Sequence, residues 1–233
     1  MLTLGIDTCC MASTAAVTDG DKLIAQTVIN QNKTHSQMML PQIEAMLNLA
    51  GIDPCDIELF AAAVGPGSFT GVRIGVATIK GMAQATQKPC VAVSTLKALA
   101  YSSAFFDGIA APILDARRGQ VYNALFDCKG GKIMRLTEDR ALPLDELLAE
   151  LKQLGKPTIF MGDATFVFKQ EIQDVLGDKA LFAPVTTSMN LGGAVAALGE
   201  EEFKNGKAVS YSELVPAYVR LSQAERDLLE KNK

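Results

Sequence analysis

The chain of 233 residues holds a single histidine, His35. A Ser-His-Asp or Cys-His site would have to be built on that residue or not at all. No histidine pair exists for a zinc site or for a two-histidine, one-carboxylate centre. An excess of basic charge is also missing: 22 Lys and Arg stand against 26 Asp and Glu, a net charge of −4. A free-standing nucleic-acid binder usually carries a basic footprint, which this chain lacks. The five cysteines, Cys9, Cys10, Cys55, Cys90 and Cys128, are odd in number, and none falls in a Cys-x-x-Cys pair. They are expected to be reduced and mostly buried rather than zinc-binding or redox-active. No apolar run is long enough to span a membrane. Asp7 interrupts the apolar start before it could form a signal-peptide core, so a cytoplasmic location is expected.

What is present is ordinary globular material, 48% apolar and 21% charged. The length fits one large domain or two smaller lobes. A chain of this size buries roughly 70–75% of its unfolded surface and needs neither disulfide nor metal to hold it together. Strand-like runs at 2–6, 13–18 and 22–29, with Asp-Gly between the last two, predict three antiparallel strands. A helix follows over 34–50, with Thr34 and Gln37 spaced as a capping box, Pro41 inside it and Gly51 as a stop. Then come a strand at 59–64, a helix at 70–86, a strand at 90–94 and a helix at 95–105. The theme restarts with a strand ending at Asp115, an alternating strand to 127 and a hairpin at Lys-Gly-Gly-Lys. A helix at 143–154, a strand at 157–162 and helices at 164–176 and 190–205 complete the second block. A charged end after residue 220 is expected to fray. The two blocks predict a duplicated α/β architecture.

The most distinctive stretch is GPGSFTGVRIG, residues 65–75. A phosphate-binding P-loop would need Gly-Lys-Ser/Thr at its end, and here Val72 and Arg73 follow Gly71. The spacing also misses the dinucleotide fingerprint. Gly65, Pro66, Gly67, Ser68, Phe69, Thr70 and Gly71 are therefore expected to form a structural strand-to-helix turn, although amides at the helix start could still hold an anion. Val72, Val76, Ile79 and Ala83 mark one apolar face of the next helix. Arg73, Ile74, Thr78 and Gly81 lie elsewhere on it, with small residues that admit close approach. On the preceding helix, His35, Met38, Gln42, Ala45 and Leu49 form a second stripe beside the core stripe of Met39, Ile43, Met46 and Leu47. Two helices with more apolar face than one core uses predict a docking surface for another protein.

Asp7 and Asp115 each end a strand at the start of a block. With Thr8 and the adjacent Arg117 and Arg118, they are candidates for an anion, nucleotide or magnesium site. The same residues would serve equally as turn caps and as an inter-lobe salt bridge.

The runs LGIDT, GPGSFTGVRIG, VAVSTL, LDARRGQVY and PAYVR, in this order and spacing, resemble the bacterial TsaB (YeaZ) family over almost the whole chain. The resemblance implies the two-lobed fold of actin, hexokinase and heat-shock proteins (the ASKHA fold), each lobe on a mixed five-stranded sheet. The lobes would be 1–106 plus about 206–233, and 107–205. It implies a non-catalytic scaffold that pairs, through helices matching 34–50 and 70–86, with the paralogous TsaD subunit and acts with the ATPase TsaE. That assembly places a threonylcarbamoyl group on the adenosine beside the anticodon of ANN-decoding tRNAs. A homodimer is expected when the chain is alone, and tRNA contact only through the complex. The isolated chain would need no cofactor and no metal, with ATP or ADP belonging to the assembled complex. Thr95 and Leu99 stand where TsaD-like sequences carry a metal-binding histidine pair, and this removes the basis for the older glycoprotease label. The rival reading is a stand-alone ATPase or phosphotransferase of the same fold using Asp7 and Asp115.

Overall fold

The computed structural model describes residues 1–31 and 34–220. Strands β1 (Leu2–Asp7), β2 (Ser13–Asp19) and β3 (Lys22–Ile29) form an antiparallel meander. The β2–β3 turn is closed by Gly20 at φ 55°. Strands β4 (Leu59–Ala63) and β5 (Cys90–Val93) add in parallel, giving the order β3-β2-β1-β4-β5. Helices α1 (His35–Ala50) and α2 (Phe69–Thr86) pack side by side on one face. The period-2 alternation of β1 divides its side chains between the two faces: Ile6 reaches toward α2, while Gly5 lies against the backbone of the last helix.

The second sheet is built on β6 (Gly108–Arg117), with β7 (Gln120–Asn123), β8 (Phe126–Lys129), β9 (Lys132–Arg135), β10 (Arg140–Pro143), β11 (Thr158–Met161) and β12 (Ala180–Phe182). Its path β10-β7-β6-β11-β12 is five strands long, and the β8–β9 hairpin branches from β6 to make seven. The expected five-stranded second sheet is thus enlarged. The alternating run read as one strand to 127 breaks at Ala124–Leu125, and β8 then pairs with the other end of β6. Strands β10 and β12 have no counterpart among the sequence expectations. Four-residue and three-residue runs carry too little periodicity to stand out.

Helices α4 (Leu144–Leu154) and α5 (Ala164–Leu176) cover one face of this sheet, over Ile109, Ala111 and Ile113. Ala110 and Leu114 face the other way, onto Leu96, Leu99 and Ala100 of α3 (Thr95–Tyr101). So α3 follows the first sheet in sequence yet covers the second. Helix α6 (Gly192–Lys204) does the reverse, following the second sheet and lying across β1, β2, β4 and β5 of the first. The expected lobe boundary at 205/206 is corrected by this exchange, because α6 belongs to the core of the first lobe. Glycine permits the contact. A Cβ at Gly192 would lie 2.6 Å from the carbonyl carbon of Ala15, and one at Gly199 2.5 Å from the Ala61 Cβ. Close-packed interiors have no room for such an atom.

Other expectations need smaller corrections. Helix α3 ends at Tyr101, not 105. Thr34 is the N-cap residue of α1, but its side chain makes no cap bond; its carbonyl accepts from the Gln37 N–H at 3.0 Å. Helix α1 runs unbroken through Pro41 and stops at Gly51, φ 67°. Cys9, Cys90 and Cys128 are buried, Cys10 is half-buried and Cys55 exposed, and all five are free thiols. The charged end after Arg220 lies outside the described residues.

Candidate functional site

The glycine loop spends several of its polar groups on the protein itself. Ser68 caps α2, its Oγ accepting from the Gly71 N–H at 3.3 Å, and the Ser68 N–H donates to the Cys9 carbonyl at 2.6 Å. Gly65 and Thr95 exchange two bonds: Gly65 N–H to Thr95 Oγ1 at 3.2 Å, and Thr95 N–H to the Gly65 carbonyl at 3.0 Å. Thr8 Oγ1 donates to the Gly71 carbonyl at 2.7 Å. These amides, spent on the protein itself, are those a phosphate loop would turn to its ligand. The glycines serve close backbone approach: a Cβ at Gly75 would meet Thr8 Oγ1 at 2.5 Å, and one at Gly71 would collide with the Thr8 carbonyl.

Beside this loop an open cleft of about 1100 Å³ separates the lobes. Met11, Phe69 and the residues at the start of α1 line one wall; Asp115, Arg117, Arg118 and Asp163 line the other. Asp7 and Thr8, expected at an anion site, are fully buried and do not reach the cleft. Asp7 Oδ1 accepts from the Cys9 N–H at 2.7 Å, and Oδ2 accepts from the Asn190 side-chain amide. Burial raises this carboxyl to about 6 in spite of those hydrogen bonds. Asp115 is no freer. Its Oδ1 accepts from the Arg117 N–H at 2.7 Å and its Oδ2 pairs with the Arg117 guanidinium at 3.1 Å. Arg117, Arg118 and Gly119 form a turn with φ of 66°, 57° and 71°. Burial also raises Asp163, which accepts the Asp115 N–H at 3.0 Å.

Most of the residues expected on the α1–α2 surface are exposed or half-buried. Leu49 is 91% exposed, and Ala45, Ala77 and Gly81 are also exposed; Leu40, 57% exposed, lies on the opposite side of α1 from Leu49. Met38, Ile74 and Thr78 are half-buried, and Thr78 Oγ1 donates to the Ile74 carbonyl at 2.8 Å. His35 is half-buried, and its Nε2–H donates to the Cys10 carbonyl at 2.8 Å, tying the start of α1 to the β1–β2 turn. Gln42 departs from expectation. It is buried beneath α1, bonding Ser13 and Thr27 through both ends of its amide, because a long polar side chain on the inner stripe can satisfy the adjacent strand edge.

Sequence reasoning missed the strap that follows α6. Lys80 Nζ donates to the Leu214 carbonyl at 3.1 Å, the Ala217 N–H to the Val64 carbonyl at 2.8 Å, and Arg220 to the Ala116 carbonyl at 2.8 Å. The strap thus runs along α2 and crosses to the second lobe. Tyr218 stacks on Phe69 with ring centroids 4.9 Å apart. The motif PAYVR is the only sequence signal for this segment. Asn190 and Asp163 have none, since isolated polar residues in loops carry no period.

Thr95 and Leu99 are buried, Thr95 latching the glycine loop and Leu99 in the core under α3. Among the described residues no cluster of three His, Cys, Asp or Glu is disposed to hold a metal. No helix among them is long and apolar enough to cross a membrane.

Residues 22–228 match the family model "TsaD: tRNA N6-adenosine threonylcarbamoyltransferase". The tRNA threonylcarbamoyladenosine biosynthesis protein TsaB of Bacillus subtilis is 37% identical over all of both chains. YeaZ from Pseudomonas aeruginosa superposes with a TM-score of 0.76 at 22% identity, covering 93% of this chain and 99% of its own. The ROK hexokinase of Thermus thermophilus shares the fold at a TM-score of 0.52 and 12% identity, covering 87% of this chain and all of its own. Two lobes that exchange helices across a cleft are the ASKHA fold, and the chain belongs to the TsaB (YeaZ) family, within the wider family of the TsaD model.

Proposed function

We propose that this chain is a non-catalytic scaffold and activating subunit in the modification of tRNA with threonylcarbamoyladenosine, and that its α1–α2 face docks the TsaD-type paralogue. The observation that carries the reading is that face itself. On it Ala45 and Leu49 of α1 and Ala77 and Gly81 of α2 are exposed, and charge is sparse on both helices. Exposed apolar side chains on a charge-poor face mark an interface, and small residues let a partner helix approach closely. The match to a TsaD model and the full-length likeness to TsaB proteins supply the pathway. The buried Thr95 and Leu99 support a scaffold over a metalloenzyme. The closed hydrogen bonding of Asp7 and Asp115 weighs against the stand-alone phosphotransferase.

In this reading the TsaE-type ATPase joins the pair, nucleotide acts at the level of the complex, tRNA is met only there, and the chain works in the cytoplasm as a homodimer when alone. Reconstituted threonylcarbamoyl transfer with TsaD and TsaE should depend on this chain. Equal transfer in its absence would overturn the reading.

A further inference from the structure

We propose that Arg73 is a preset carboxylate receptor on the docking face, held in place by the C-terminal strap. Its Nε–H donates to Tyr218 Oη at 2.7 Å, and its guanidinium carbon lies 3.8 Å over the Phe69 ring and 5.7 Å from that of Tyr218. The plane of the guanidinium is thereby fixed by two aromatic rings and one hydrogen bond. Its two η nitrogens have no acceptor among the described residues. Arg73 is exposed and lies one turn before Ala77 and two before Gly81 on the same stripe of α2. A guanidinium fork of this kind pairs with a carboxylate through two parallel bonds, which an ammonium cannot imitate. Stacking removes in advance the side-chain entropy that an arginine otherwise loses on binding. The occupant we assign is an aspartate or glutamate of the TsaD-type paralogue. This inference rests on the docking reading above, and it makes Tyr218 and Phe69 positioning residues that set specificity rather than bulk contacts.

The test measures binding of the full chain to the paralogue by titration calorimetry at two salt concentrations. Arg73→Lys keeps the charge but loses the fork, and should weaken binding about 10- to 100-fold at both salt concentrations. Tyr218→Phe keeps the stack, removes the hydroxyl acceptor and should weaken it about 3-fold, with an unchanged melting temperature. Wild-type affinity in Arg73→Lys, against a wild type that binds, overturns the inference alone. A wild type that does not bind the paralogue overturns the docking reading and this inference with it. Sedimentation adds a third outcome: a self-dimer lost in Arg73→Lys while paralogue binding is kept would place the carboxylate on a second copy and overturn the assignment.

Discussion

Helices α1 and α2 cover one face of the first sheet, and α4 and α5 cover the corresponding face of the second, yet their outer surfaces differ. Helix α4, of 11 residues, presents Asp145, Glu146, Glu150 and Lys152. Helix α5, of 13 residues, carries Lys169, Glu171 and Asp174, with exposed Phe166 and Val167 at its start and exposed Val175 near its end. Helix α1, of 16 residues, has Glu44 as its one carboxylate and no lysine or arginine. Helix α2, of 18 residues, has only Arg73 and Lys80, and both are engaged by the strap. Equivalent positions in one architecture therefore bear a charge-rich surface in one lobe and a charge-poor one in the other. Burial against the sheet is satisfied in both, so the bare outer face of α1–α2 is not a requirement of folding.

The comparison breaks most directly at Gly81. A Cβ there meets nothing within 4 Å, so Gly81→Arg leaves the isolated fold intact and even raises helix propensity by about 1 kcal/mol. In the proposed docking, the same side chain stands where the partner helix would approach. Binding to the paralogue should fall below detection while the melting temperature holds or rises. Retained binding would remove α2 from the interface.

The strand-end aspartates, Asp7 of β1 and Asp115 of β6, sharpen the contrast between the lobes. Asp7 titrates near 6 in the fold against 3.8 for the free group. Because the folded value is the higher, its contribution to stability is full below about pH 4 and is lost as pH rises through 6. The loss is on the order of 3 kcal/mol at about 1.4 kcal/mol per unit. Urea midpoints should fall across this window in the wild type and fall less in Asp7→Asn, where Asp163, also raised by burial, still titrates. Asp115→Asn removes only a solvent-exposed ion pair and should cost under about 1 kcal/mol. A wild type without the slope would mean that Asp7 is better solvated than its burial implies.

The smallest effect belongs to the control. Ala149→Arg adds charge to the exposed face of α4 and should change neither the free energy of paralogue binding nor that of unfolding by more than about 0.5 kcal/mol. Weakened binding here would show that both helix pairs serve the interface.

Much of the first lobe is legible in the order of its residues because its signals are local. The Asp-Gly turn, the all-apolar 59–64 run and the glycine stop at Gly51 each sit in one element. In the second lobe, β10 and β12 escape notice because so few residues leave no period to detect. The surplus apolar stripe on two helices, on which the proposed docking face rests, is legible too. Gln42 misleads because a stripe records position around a helix, while burial of a polar residue depends on whether an acceptor waits beneath it, as Ser13 and Thr27 do.

The sequence by itself determined the two-block α/β plan, the glycine turn and the bareness of α1 and α2, since composition and period are properties of neighbours along the chain. Only the tertiary structure decided that α3 and α6 trade lobes, that Asp7 is sealed under Asn190, and that Tyr218 pins Arg73. Each of these joins residues far apart in sequence, and such contacts are set by which surfaces can pack without a void or an unpaired polar atom.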